Sequence, residues 1–258
     1  MRVRRSVAEV RAWAATAVAV WLCGGGVATA EPPPTTPVPE RPADAAVAVE
    51  ADGFVFVEAE DRYHQRDDGP RRWYAFEPDA EGAAAAEGGQ VPPGPDADPP
   101  HTDGASGGTY LELLPDTRQT HADPLEHGVS FTNAPMGVGT LSYAVRFTSP
   151  GRYYVWVRAY STGSEDNGLH VGLNGAWPES GQRMQWCTGK HAWTWESKQR
   201  TDKNHCGEPR LIYLDVDEPG EHTVQFCMRE DGFEFDAFVL TQTYAHPAVT
   251  NPPAGEGP

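Results

Sequence analysis

The sequence predicts an all-β fold, a β-sandwich of the jelly-roll kind, and three observations carry that expectation. Apolar residues recur with a period of two rather than 3.6, the periodic runs are short and end at Gly, Pro, Asn or Asp, and there is almost no helical pattern anywhere along the chain. The runs at 54–60, 140–147, 152–160, 169–173, 192–197, 210–216, 222–228 and 233–241 are rich in β-branched and aromatic side chains, which suit a pleated, half-buried surface. Ser149-Pro150-Gly151 and Glu218-Pro219-Gly220 supply turns, Pro setting φ and Gly accepting a positive one, so each joins two neighbouring strands. A regular series of short strands joined in this way makes two packed sheets.

The edges of the domain follow from composition. Residues 1–30 begin with Arg2, Arg4, Arg5 and Arg11, continue in an apolar run from Ala12 to Cys23, and end in Ala28-Thr29-Ala30. That order reads as a signal peptide, and the apolar run is too short for a membrane span. A lipid anchor on Cys23 is the alternative, disfavoured by Leu22, where a small residue would be wanted. The expectation is a secreted protein. Residues 31–48, with Pro32-Pro33-Pro34-Thr35-Thr36-Pro37, read as a linker, residues 79–103 as a long, disordered insertion rich in Gly, Ala and Pro, and residues 246–258 as a disordered tail. The module itself then spans 49–245.

Net charge narrows the partners. The whole chain carries −17, and since residues 1–30 hold four Arg and one Glu, their removal leaves −20. An acidic surface repels phosphate backbones and anionic lipid, which argues against nucleic acid and leaves neutral sugars and divalent cations open.

Beyond residue 30 there are three cysteines. Cys187 and Cys206 flank one loop-rich segment and are expected to form a disulfide, with Cys227 a buried thiol on a strand. A zinc site from Cys187, His191, His205 and Cys206 is the alternative, weakened because adjacent His205 and Cys206 would struggle to point at one ion. Gly104-Ala105-Ser106-Gly107-Gly108 matches G-x-S-x-G, but a strand follows it rather than a helix, so it reads as a bend and not a nucleophile elbow. His121, Asp123, Glu126 and His127 read as a solvated loop.

The segment from Arg158 to Trp195 is the most informative. Sugar rings have apolar C–H faces and polar rims, so a site for them needs an aromatic platform ringed by donors and acceptors. Trp177, Trp186, Trp193 and Trp195 could supply the platform, with Arg158, Tyr160, Asp166 and Asn167 around it, and alternation places Trp193 and Trp195 on one strand face. Packing of each ring in the core is the competing expectation.

These residues resemble known families. Glu58-Ala59-Glu60, Ala105-Ser106-Gly107-Gly108-Thr109-Tyr110, the run 151–158 and Phe233-Glu234-Phe235-Asp236 look like the ordered signature of carbohydrate-binding module families 6 and 35. The runs 158–167, 177–187 and 228–236 are similar to the C-terminal β-sandwich domain of glycoside hydrolase family 115, the xylan α-glucuronidases. The resemblance covers about 54–244. It implies a galactose-binding-like jelly roll and a structural calcium ion held by Glu58, Glu60 and Asp236, hard oxygen donors of which the first two share a strand face. Near Phe233 the families often place Asn for sugar contact; here Glu234 stands at that ligand-binding position, a departure that counts against neutral-sugar recognition and leaves a bound cation or a partner protein open. No catalytic domain is expected ahead of the module, so the resemblance implies binding without glucuronidase activity. The function expected is a secreted, non-catalytic carbohydrate-binding module for plant cell-wall polysaccharide such as glucuronoxylan. The alternatives are an adhesion module for a cell-surface partner or a small hydrolase or lyase.

Overall fold

The computed structural model describes residues 32–66, 71–78, 84–86, 94, 96, 98–135 and 137–247. The signal-peptide segment, most of the insertion and the tail beyond residue 247 lie outside them. The described residues from Pro33 onward belong to one compact unit.

Sixteen strands are laid down in order among the described residues: β1 Ala48–Val49, β2 Phe54–Glu58, β3 His64–Arg66, β4 Arg72–Pro78, β5 Ala84–Ala86, β6 Tyr110–Leu114, β7 Thr140–Phe147 and β8 Gly151–Tyr160. They continue as β9 Gly168–Leu173, β10 Met184–Gln185, β11 Thr194–Glu196, β12 Lys198–Gln199, β13 Glu208–Pro209, β14 Tyr213–Val216, β15 Gly220–Met228 and β16 Glu234–Thr241. The strands form two sheets. One runs β1-β7-β15-β9-β10-β12-β13 with β3 also on β7; the other runs β11-β8-β16-β6-β4-β5, with β14 on β8 and β2 on β16. The all-β two-sheet sandwich is therefore the fold. No helix among the described residues is long and apolar enough to cross a membrane.

The core lies between the sheets, where Tyr143 of β7, Phe226 of β15 and Phe235 and Phe238 of β16 meet edge to face or tilted at centroid distances of 4.9–6.4 Å. Strict alternation would put Phe235 and Phe238, three residues apart, on opposite faces. A bulge solves this: the register of β16 against β8 shifts between Phe235 and Ala237, leaving Asp236 as the extra residue, and both rings turn inward. The same bulge re-aims the Asp236 carboxylate.

Two sequence expectations are corrected here. The segment expected to be a linker is laid along the sandwich: Thr36 N donates to Gly175 O at 2.8 Å, Trp177 N to Pro34 O at 3.0 Å, and the Trp177 indole to Thr36 Oγ1 at 3.0 Å. An extended Pro-rich strand keeps its carbonyls free, and the Trp177 backbone and ring need partners. Gly175 makes the approach possible, since at φ +82° a Cβ would lie 2.4 Å from Thr36 O. The last part of the expected disordered insertion, 98–103, is packed over the second sheet. Cys187 and Cys206 form the expected disulfide, with Cα atoms 5.4 Å apart, and Cys227 is buried on β15.

Candidate functional site

The candidate site is built on the outer face of the sheet that contains β8, β16 and β6. Their register places Tyr160, Glu234 and Glu112 side by side, and Tyr74 of β4 continues the row. Outer faces of antiparallel sheets are ordinarily solvated, yet Glu234 and Glu112 are only 2% and 3% exposed. What covers them is the strap 98–104 and Trp193. The His101 ring stacks on Tyr160 at 3.8 Å and its Nδ1 lies 2.8 Å from Glu234 Oε1; His101 N donates to Tyr110 OH at 3.1 Å, and the Trp193 indole donates to His101 O at 3.1 Å. Trp193 also touches Tyr160 and Tyr110 at 5.4 and 5.3 Å.

Burial sets the protonation of this cluster. It pushes the carboxyls of Glu112 and Glu234 well above the usual carboxylate range, helped at Glu112 by Glu234 and at Glu234 by Asp98 and Asp166, and it pushes the His101 imidazole down. A neutral imidazole therefore faces a carboxyl that resists ionising. Glu234 Oε2 is buried without a hydrogen-bond partner among the described residues, an uncompensated cost in the folded state.

A second polar group adjoins the first. Arg158 pairs with Asp236, donates from Nη2 to Gly104 O at 2.9 Å and lies 5.7 Å above the Trp193 ring. Ser106 N donates to Asp236 Oδ1 at 2.7 Å and Ser106 Oγ to Glu58 Oε1 at 2.6 Å, so this serine anchors a bend, as the sequence suggested. Glu58 and Glu60 are pushed up to about 7 and about 8, chiefly by burial, and each has an Oε2 buried without a partner among the described residues. No three His, Cys, Asp or Glu side chains of the described residues converge on one point as ligands. The donor chemistry at Glu58 and Glu60, two hard oxygens unsatisfied in a shielded place, fits calcium; Asp236, already neutralised by Arg158, is the weaker third.

The other expected site residues are distributed differently. Asp166 turns inward and shapes its own loop, accepting from Ser161 Oγ at 2.9 Å, Thr162 N at 2.7 Å and Gly163 N at 3.1 Å, while Asn167 is buried against Gln185. Trp177 and Trp186, at 0% and 1% exposure, are no platform: the first lies under the 33–36 segment, and the second packs on Phe233 at 5.1 Å. Large rings at a sandwich seam bury more apolar area inward than on the surface. Trp195, two residues beyond Trp193, is half-buried and faces a separate groove with Trp156 and Tyr244. Both thiols of the zinc alternative are consumed in the disulfide.

Sequence reasoning missed His101 and Glu112, and gave Tyr110 a place in the family signature without a role of its own. His101 lies in a Pro-rich stretch without periodicity, so no local signal marked it. Glu112 did carry one, as a lone carboxylate inside the apolar run Tyr110-Leu111-Glu112-Leu113-Leu114.

No family model matches the chain. A protein of Formosa agariphila described as uncharacterized protein P23 is 58% identical over 192 residues, which is 74% of this chain and 44% of that one. The chain thus spans less than half the length of this relative. Among solved structures, the chain is similar to the C-terminal CBM6 of LamC from Zobellia galactanivorans (14% identity, TM-score 0.35, 73% of this chain and 99% of that one). It is also similar to a family 35 carbohydrate-binding module from Clostridium thermocellum (12%, TM-score 0.37, 72% and 96%). A third is the GH26-CBM35 β-(1,4)-mannanase of Podospora anserina (13%, TM-score 0.38, 77% and 29%). The likeness to the family 115 domain expected from the sequence finds no support in these comparisons.

Proposed function

We propose that this domain is an exported, non-catalytic carbohydrate-binding module that holds plant cell-wall polysaccharide on the patch formed by Tyr160, Trp193 and Glu234. One observation carries the reading: Tyr160, Trp193 and His101 gather as three half-buried rings on one sheet face, held from beneath by the buried Glu234 carboxyl. A pyranose sets a C–H face on the exposed parts of these rings, while the Glu234 carboxyl beneath them holds His101 in place. Glu112 and Glu234 lie behind His101, which disfavours their use in hydrolysis.

Charge refines the ligand. Asp96, Asp98 and Asp166 all act on Glu234, so a uronate carboxylate placed here would meet like charge. The neutral backbone of a polymer such as glucuronoxylan is the part recognised, with its acidic branches directed away. Glu58 and Glu60 hold a calcium ion that fixes the bend at Ser106, and so the strap, in place. A glycan array of neutral and acidic plant oligosaccharides, read with and without chelator, tests both parts. Binding to neutral backbones that is lost in Tyr160→Ala supports the reading; no hits, or hits indifferent to that substitution, overturn it.

A further inference from the structure

We propose that the groove beside Trp195 is a second saccharide subsite, so that the domain grips an internal stretch of a polysaccharide chain rather than a single sugar. The inference rests on the reading of the Tyr160 patch as a glycan site. The groove measures about 340 Å³ and is lined by Trp156, Trp195 and Tyr244 with Thr188, Glu196 and Lys198 at its polar edge. That volume is at the small end of ligand pockets, about 300–1,000 Å³.

Its walls are aromatic where a solvated sheet face would be polar. Tyr244 lies 5.0 Å from Trp156 and 5.1 Å from Tyr154, and His246 lies 5.3 Å from Trp156, so residues following β16 hold rings against β8. Trp156 is 5% exposed, and its indole Nε1 is buried without an acceptor among the described residues. The ring faces of Trp195 and Tyr244 take the C–H surface of a sugar, and Thr188, Glu196 and Lys198 at the edge take its hydroxyls. Glu196 Oε2 is paired with Lys198 Nζ at 2.7 Å and the Arg210 guanidinium lies 5.4 Å over the Tyr244 ring, so hydrogen-bonding groups for sugar hydroxyls stand beside the aromatic walls.

The groove also continues the first site. Trp193 touches Tyr160 at the patch, and Trp195 lines the groove. At a strand rise of about 3.3 Å per residue the two positions are about 7 Å apart along the backbone. Between them runs Arg158, opposite Trp195 in the β11–β8 register and 5.7 Å above Trp193. A chain leaving the patch thus reaches the groove within a few sugar units, and the second contact is gained at high effective concentration.

Calorimetric titration with xylo-, manno- and cello-oligosaccharides of two to six units tests this in the intact chain. The expected result is affinity that rises roughly tenfold or more from the dimer to the hexamer, with the rise removed in Tyr244→Ala and reduced in His246→Ala while dimer affinity stays the same. Both substitutions lie outside the two sheets, and an unchanged melting curve shows that folding is intact. Hexamer affinity unaltered by both variants overturns the second subsite and leaves the first standing. Hexamer affinity lost in Tyr244→Ala but kept in Tyr160→Ala would instead overturn the Tyr160 reading, and with it the continuous two-part grip. Absence of binding to every oligosaccharide refutes both.

Discussion

The imidazole of His101 lies flat on the ring of Tyr160, with centroids 3.8 Å apart and planes 18° from parallel. The same imidazole reaches Glu234 Oε1 at 2.8 Å, so one side chain ties the strap to the sheet by a stack and a hydrogen bond. Ring stacking contributes about 0.5–1.5 kcal/mol and a lost partner for a buried polar group costs about 1–3 kcal/mol. His101→Ala is expected to destabilise the domain by about 2 kcal/mol in chemical denaturation. A loss below about 0.5 kcal/mol would mean that the strap is held elsewhere.

The calcium ion proposed at Glu58 and Glu60 would make the stability of the domain depend on a cation. Each keeps a buried oxygen without a partner among the described residues, which is a cost that a bound calcium ion removes. Calcium is expected to raise the melting temperature of the wild type by a few degrees, on the scale of about 2–4 °C per kcal/mol for a domain of this size. Glu60→Gln is expected to melt no lower than the wild type in chelator, because it removes a poorly solvated carboxyl, and to gain nothing from calcium. Thermal melts of both proteins with calcium and with chelator decide it; equal gains would place the cation elsewhere.

The sandwich was legible in the sequence because period-two alternation and Pro-Gly turns are local signals. The candidate site was legible only where its residues lay on strands. Arg158, Tyr160 and Glu234 sit on β8 and β16, and the structure brings them to one face. Trp177 and Trp186 were misplaced because composition cannot distinguish a platform ring from a seam ring; that depends on whether another segment covers it, as residues 33–36 cover Trp177. His101 was invisible for the complementary reason, since a strap that owes its order to tertiary contacts has no periodicity of its own. The bulge at Asp236 left its trace in the sequence as two core phenylalanines three residues apart.

His170 predicts an acid limb in the stability profile. It is fully buried on β9, its Nδ1 accepts from Arg183 N at 3.0 Å, and burial with the nearby Arg229 guanidinium pushes its pKa from 6.5 down to about 3. The folded state therefore refuses a proton that the unfolded chain accepts. Its contribution is complete above pH 6.5 and is lost as the pH falls toward 3, at about 1.4 kcal/mol per unit. His170→Gln does not titrate, so the stability gap between wild type and variant should narrow by about 2–3 kcal/mol from pH 7 to pH 4.5. Carboxyls such as Glu112 have the opposite slope in both proteins and cancel in the difference. A gap that stays constant with pH would show that His170 is protonated in the native state.

The disulfide couples stability to the aromatic track. Cys187 and Cys206, 19 residues apart, close a segment that carries Trp193, Trp195, Glu196 and Lys198. In the loop-entropy model such a closure stabilises the fold by about 3 kcal/mol. Within that segment β11 holds on to β8 through only three residue pairs, so the link restrains residues that secondary structure alone holds weakly. Replacing both cysteines by serine is expected to lower stability by about 2–4 kcal/mol and, well below the new melting temperature, to weaken oligosaccharide binding as well. Calorimetry beside denaturation of the double variant separates the two effects. A destabilised variant with undiminished affinity would mean that the sheet alone positions the two indoles, and that the disulfide serves the fold without serving the site.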